Sequence, residues 1–523
     1  MVVILESSPN SLDPRVGTDA QSERVGGLIF DGLVKKDEHY NLVPWLATGW
    51  ERPDALIWVF HLRDGVRFQD GRPLEAADVV WTIESLIDPK LAGLISAKSG
   101  NFAAVDRAEA RDRLTVAVHM KRPDAGLLFN LSDGLFGVVP RGAGKDFGLA
   151  PVGSGPFRFV GQVQDKEVVV ERFAGCWSER RAGGEQPTLP PQQAKSPAGG
   201  PGLSDHAGKD GPPGLSLIQR IRFEVVPDTI TSALKMRKRS ADVASNVLTL
   251  DMIHALESAP GREIESGAGS NVWYLNFNVE DPLLRDRRVR QAVAVAIDRP
   301  AIVAALWRGH ARLASTLLPE GHWAAAADGE LTPLAHDPAR AQALLEAAGF
   351  PAGADGVRLT LTLKISTDET TRLLAAVLQQ QMRAAGIRLN IRSAEFGTFY
   401  ADVTHGAFQM YVLKWVGSNE DPDIFRYMYS SASFPPKGAN RGHYVNPQID
   451  ALLAAAAAET GAPDEVQARR RREYAEVEKI LAEELPSVPL WFPENEVVHT
   501  TRLVGVRAEG DGNYDYLRKA RVR

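Results

Sequence analysis

Between residues 359 and 391 the apolar residues change period twice, and no other passage restricts the fold as much. Leu359, Leu361, Leu363 and Ile365 alternate with polar residues, Leu373, Leu374, Val377 and Leu378 then recur at helical spacing, and Ile387, Leu389 and Ile391 alternate again. Gly386 supplies a helix stop, and a crossover of this length joins parallel strands by a right-handed connection. The spacing predicts strand, helix, strand in an α/β region. Nearby, Asp337 and Pro338 read as an N-cap and a first-turn proline ahead of the apolar face Ala341, Leu344, Leu345 and Ala348, with Gly349 as the stop. Val289, Ala292, Val293, Ala296 and Ile297 form another stripe, with Asp298 placed to cap the next helix and Gly309 to end it.

The amino-terminal third has short strand patterns, such as 56–62 and 114–118, broken by Gly and Pro turns, and reads as a mixed α/β lobe. In residues 182–214, 15 of 33 are Gly or Pro and the periodicity vanishes. A valine-rich strand pattern precedes this segment and an alternating one follows it, so it reads as a disordered insertion in a folded region. No repeat of 20 to 50 residues is present, which argues against solenoids and propellers. A chain of 523 residues exceeds what one core accommodates, and its 44% apolar content can fill two or three.

A formal charge of -6 lacks the basic excess of a nucleic-acid binder. The basic run Arg469 to Arg472 has Glu473 and Glu476 four residues beyond its ends, so helical ion pairing on a solvated face accounts for it. No run approaches the ~20 apolar residues of a membrane helix, so no span is expected. The start, Met1-Val-Val-Ile-Leu-Glu, has no charged leader, so a secretory signal is absent from this sequence: it was removed upstream or the protein is intracellular. Cys176 is the single cysteine, lies between Gly175 and Trp177, and has no catalytic neighbours in sequence.

Enzyme signatures fail on spacing. Gly142-Ala-Gly-Lys-Asp has Val139 where a phosphate loop needs Gly, and Ser154 lacks the glycines two residues either side that a nucleophile elbow needs. The 11 histidines show no zinc-binding pair, so neither metal nor cofactor is expected. The acidic loop Glu420-Asp-Pro-Asp admits three readings: a carboxylate pair for hydrolysis, a turn after a strand, or a ligand site beyond a strand's carboxyl end.

Several motifs, in order, resemble those of the dipeptide- and oligopeptide-binding proteins of ABC importers (family 5). They are Ser11-Leu-Asp-Pro, Leu42-Val-Pro-Trp-Leu-Ala-Thr-Gly-Trp-Glu, Trp58-Val-Phe-His-Leu-Arg-Asp-Gly-Val-Arg-Phe-Gln-Asp-Gly, Ala77-Asp-Val-Val and Val152-Gly-Ser-Gly-Pro-Phe. Later come Val289-Arg-Gln-Ala-Val-Ala-Val-Ala-Ile-Asp, His336-Asp-Pro-Ala-Arg-Ala-Gln-Ala-Leu-Leu-Glu-Ala-Ala-Gly and Leu485-Pro-Ser-Val-Pro-Leu. The resemblance implies an α/β fold of the type II periplasmic-binding class: two lobes joined by two crossing segments, with an extra subdomain in the first lobe. The expected first lobe is 1–270 with 486–523, including a subdomain near 40–150, and the second is 271–485; hinges are expected near 271–278 and 489–493.

The resemblance further implies a periplasmic or otherwise extracytoplasmic, monomeric receptor that closes on a peptide or peptide-like ligand and delivers it to an importer permease, without nucleic acid and without catalysis. An oligosaccharide receptor and a carboxylate-dependent hydrolase are the alternatives. Candidate ligand contacts are Trp415, Ser418 and Asp421 in the loop, with Tyr274 and Asn276 on the first hinge segment. In the family the residue three beyond this Trp is an Asp that pairs with the peptide amine. Here it is Ser418, so Asp421, Asp423 or Glu420 must substitute if the amine is to be read.

Overall fold

The computed structural model describes residues 1–94, 96–124, 126–180, 215–327, 329–331, 333–415 and 420–523; the expected insertion at 182–214 and the candidate Ser418 lie outside them. Strands Leu359–Ser366 and Ile387–Ala394 pair in parallel, Leu359 opposite Ile387 through Ser366 opposite Ala394, and helix Glu369–Ala384 joins them. Asp368 caps that helix by accepting from the Thr371 amide at 2.8 Å, and Gly386 turns the chain at φ +82°. The change of period from two to 3.6 and back is the physical cause, since each pattern buries one face only in its own geometry.

Strand Met410–Trp415 lies beside Leu359–Ser366, followed by the antiparallel strands Val272–Phe277 and the first half of Ser487–Thr500. Along Val272–Phe277 the side chains alternate between two cores. Trp273, Leu275 and Phe277 pack with Val289, Val293, Leu345 and Leu378, whereas Val272 and Tyr274 pack with Phe399, Phe425, Tyr429 and Tyr474. The second lobe is thus one sheet covered by helices on both faces.

The first lobe has its own sheet. Strand Val2–Leu5 lies parallel to Arg220–Val225 and to Val243–Ser245, and the latter pairs antiparallel with the far half of Ser487–Thr500. Strands Glu167–Arg172 and Arg220–Val225 pair directly, Glu171 opposite Arg220, so the chain on either side of 182–214 is anchored in one sheet. A separate four-stranded antiparallel sheet, Ala47–Asp54, Ile57–Leu62, Thr115–Met120 and Val105–Ala110, packs under helix Ala76–Ile87 around Phe60, Phe68, Val79, Ile83 and Val118. This is the extra subdomain.

Two passages join the lobes. Strand Arg262–Ala268 pairs with Glu494–Thr500 of the long strand, and Val272–Phe277 pairs with its Ser487–Trp491 portion, so the chain crosses at 269–271 and again at 492–493. A Cβ on Gly269 would stand 2.2 Å from the Pro493 carbonyl oxygen, so this glycine lets the two crossing segments meet. Val488, Leu490 and Trp491 are buried in the second lobe's core, and the second passage follows them, inside the segment 489–493.

Candidate functional site

Beyond strand Met410–Trp415 the described chain resumes at Glu420, where it meets the first lobe. The Glu420 carboxylate is buried. It accepts from the Ser270 hydroxyl at 2.6 Å and pairs with the Lys36 ammonium, which also reaches Asp511 at 3.3 Å. Lys36 and Asp511 belong to the first lobe and Ser270 to a crossing segment, so this carboxylate fastens the lobes together. Burial alone would lower the Lys36 pKa, but Glu420 and Asp511 outweigh it and hold the ammonium above its usual value.

His322, in the second lobe, donates from Nε2 to the Glu420 carbonyl at 2.9 Å and accepts at Nδ1 from the Ala324 amide at 3.0 Å. Its two partners fix the neutral tautomer. Its ring stacks on first-lobe Tyr40 at 5.5 Å, and burial pushes its pKa down to about 4. The Trp323 amide donates to the His39 carbonyl, and first-lobe Arg52 donates to the carbonyls of Ala457 and Glu459. The lobes therefore stand in direct contact. A cavity of ≈ 390 Å³ opens beside Lys36, Tyr40, Asp511 and Glu320.

Further along the loop, Asp421 is buried and accepts from the Asp423 amide at 2.8 Å. Burial first, and then Asp423, push its carboxyl up to about 7, against the pull of Arg470. Asp423 is held by Arg426, whose Nε lies 2.9 Å from both carboxylate oxygens. It faces first-lobe Asp124: a Cβ on Gly126 would touch both carboxylates at 3.4 Å. Arg470 turns inward, its guanidinium over Trp323 at 5.3 Å and donating to the Tyr474 hydroxyl at 3.2 Å. The basic run is thus not simply a solvated face, because one of its members joins the interlobe charge cluster.

Trp415, at the strand's end, packs between Tyr274 and Tyr427, with centroids at 6.4 and 5.9 Å. Its buried indole N–H has no hydrogen-bond partner among the described residues. Beside it the buried Arg441 donates to the hydroxyls of Tyr274 at 3.3 Å and Tyr400 at 2.9 Å, and lies 5.9 Å over the Trp415 ring. Among the described residues no carboxylate pairs with Arg441, and its Nε makes no hydrogen bond. A guanidinium withdrawn from water without a counter-charge is costly, which marks this spot as one that would welcome an anion.

Of the sequence candidates, the fold brings Trp415 and Tyr274 together around Arg441, while Asp421 sits in the acidic cluster. Asn276 stands apart, its side-chain amide reaching the Phe277 carbonyl at 3.5 Å. Sequence reasoning missed Arg441, Lys36, His322 and Asp124.

The family model described as bacterial extracellular solute-binding proteins, family 5 (middle), matches residues 41–435. The glutathione-binding protein GsiB of Escherichia coli O1:K1 is 26% identical over 99% of this chain and 93% of its own length. Solved structures are similar as well, among them two ligand complexes. DppA of Helicobacter pylori in complex with the peptide STSA has TM-score 0.72, 22% identity and coverage of 100% of this chain and 98% of that one. NikZ of Campylobacter jejuni in complex with Ni(L-His) has TM-score 0.73, 23% identity and 99% coverage of both chains. These likenesses show the fold as the two-lobed periplasmic-binding class with two crossing segments and an extra subdomain.

Proposed function

Because the chain belongs to the bacterial extracellular solute-binding proteins of family 5, we infer that it captures a short peptide or peptide-like ligand between its lobes and delivers it to an ABC importer. Its relatives are binding proteins rather than enzymes. The observation that carries the ligand class is the pair of charges left short of a partner: the buried Arg441, with no carboxylate against it, and the buried Asp421, with a raised pKa. A ligand with an ammonium and a carboxylate completes both.

Three carboxylates were open as substitutes for the missing Asp at 418, and their contacts rank them. Glu420 is taken by Lys36 and Ser270, and Asp423 by Arg426, whereas the hydrogen bond to Asp421 comes from a backbone amide. Asp421 is the group we assign to the ligand amine, and Arg441 with the Trp415 indole N–H to the ligand carboxylate. Trp415, Tyr400 and Tyr427 supply apolar walls, since aromatic faces accept varied side chains at little entropic cost. An uncharged oligosaccharide would leave Asp421 and Arg441 uncompensated. A hydrolase would need free carboxylates where Glu420 and Asp423 are already bound.

Closure follows from the fold. Two lobes with separate cores, joined by two segments that cross side by side, rotate without breaking either core. The clasp of Lys36 with Glu420 and the stacking of Tyr40 on His322 form when they meet. The closed face then presents the ligand to the permease. The family's extracellular description supports an extracytoplasmic location, and no described helix is long and apolar enough to cross a membrane. The receptor is proposed to act as a monomer.

Small-angle scattering and native mass spectrometry with short peptides test this reading together. The expected result is compaction on ligand addition with one intact peptide per chain. An unchanged scattering profile at saturation, or release of cleaved peptide, would contradict it.

A further inference from the structure

A second group of ligating side chains lies on the crossing strand itself. Glu494 and Glu496 project from Ser487–Thr500 just after it leaves the second lobe, and His310 comes from the second lobe immediately before the short strand Ala311–Leu313. The register explains the meeting. Ala311 is paired with Pro493, and the Glu494 amide donates to the His310 carbonyl at 3.0 Å. His310 and Glu494 are thus cross-strand neighbours, and Glu496 is the diagonal residue on the same face.

The His310 Nδ1 lies 2.9 Å from Glu496 Oε1 and 3.3 Å from Glu494 Oε2, and one ligand atom from each of the three residues falls within 4.8 Å of the others. Each carboxylate is steered by a second partner. Glu496 Oε2 accepts from the Ser266 hydroxyl at 2.5 Å, and Glu494 Oε1 lies 4.0 Å from Arg312 Nε, which leaves the other oxygen of each turned to the imidazole. Arg312 also pairs with Glu320, so its charge is shared. The side chains of His310, Glu494 and Glu496 are 38%, 21% and 6% exposed, a graded site with one side open to solvent.

We propose that His310, Glu494 and Glu496 bind a divalent transition-metal ion at the hinge, apart from the ligand cleft. One imidazole and two carboxylates with room for water match a three-ligand zinc site, and the imidazole disfavours magnesium and calcium. Tetrahedral donors about 2.0–2.1 Å from zinc sit roughly 3.4 Å from one another; the two His310 separations are 2.9 and 3.3 Å and all three donors lie within 4.8 Å, so side-chain shifts of about an ångström close the site. Ser266 provides the outer hydrogen bond that orients such ligands. The ion ties second-lobe His310 to Glu494 and Glu496, which lie on the first-lobe side of the crossing, and therefore resists opening. This last consequence rests on the closure reading above, whereas the site itself does not.

Full-length chain stripped with a chelator is titrated with Zn²⁺ by calorimetry, with Mg²⁺ as control, in the absence of peptide. One zinc per chain is expected at this site, with affinity at least tenfold weaker in His310→Gln and in Glu496→Gln and little response to magnesium. Melting temperatures measured in chelator show whether the variants are folded. Zinc binding equal in folded His310→Gln and the parent, or absent from the parent, would overturn the site. Peptide release is then followed with and without zinc. Release slowed severalfold in the parent and unchanged in His310→Gln supports the brake on opening. Equal release rates in the zinc-loaded parent would overturn that brake while leaving the closure mechanism to its own scattering test.

Discussion

The two ends of the acidic loop's surroundings treat buried charge in opposite ways. At the Glu420 end every charge is answered: Lys36 lies between Glu420 and Asp511, and Ser270 donates to the same carboxylate. At the Trp415 end Arg441 has phenol hydroxyls and aromatic faces but no carboxylate against it. The first arrangement holds the lobes to each other, and the second is the one proposed above to receive the ligand's carboxylate.

The largest effect should come from breaking the satisfied end. Lys36→Met leaves Glu420 buried without its cation, a loss of about 3–5 kcal/mol against the closed form. Scattering should show an opened molecule and calorimetry a large drop in peptide affinity. Adding Glu420→Gln should recover most of both, and failure to recover would mean that Lys36 acts through something other than this pair.

Acid should loosen the same end to a smaller degree. His322 is held neutral with its pKa near 4, below its ordinary 6.5, so the open or unfolded chain binds the extra proton first. Its contribution is complete above pH 6.5 and is lost as pH falls from 6.5 toward 4, by up to about 3 kcal/mol. Melting temperature across that window should fall less steeply in His322→Gln; parallel curves would remove His322 from the interlobe contact.

At the unsatisfied end the sign changes with the ligand. Arg441→Met should leave the unliganded melting temperature level or higher, yet weaken peptides with a free carboxylate by about 1.5–3 kcal/mol. Asp421→Asn should do the same for the free amine. Its carboxyl titrates near 7 in the unliganded chain, so capture of an ammonium at pH 7 should release protons, visible as a buffer-dependent binding enthalpy that the variant loses. A fall in unliganded stability with no change in affinity would recast either residue as part of the core.

The second lobe's sheet was legible because period encodes burial. The alternation at 359–365 and 387–391 and the helical stripe between them fix which side chains face Val289 and Leu345. Trp415 was singled out by the motif's resemblance and Tyr274 as part of an apolar hinge segment, and the fold sets their rings 6.4 Å apart. Arg441 was not legible, since nothing local separates a guanidinium in solvent from one folded under Tyr274 and Tyr400. Arg470 misled for a related reason: a run of four arginines on a helix reads as one face, although the helix turns one of them toward Trp323. Lys36, Asp124 and His322 come from distant stretches of chain, and the meeting of His310 with Glu494 depends on a strand register that no sequence window contains.

In the proposed function a zwitterionic ligand completes the charges that Asp421 and Arg441 leave open. Calorimetry of one short peptide in four forms, free, amino-acetylated, carboxy-amidated and blocked at both ends, tests it in the unmodified chain. Each single block should weaken binding at least tenfold, with the double block weakest of all. Affinities within twofold across the four forms would contradict the account.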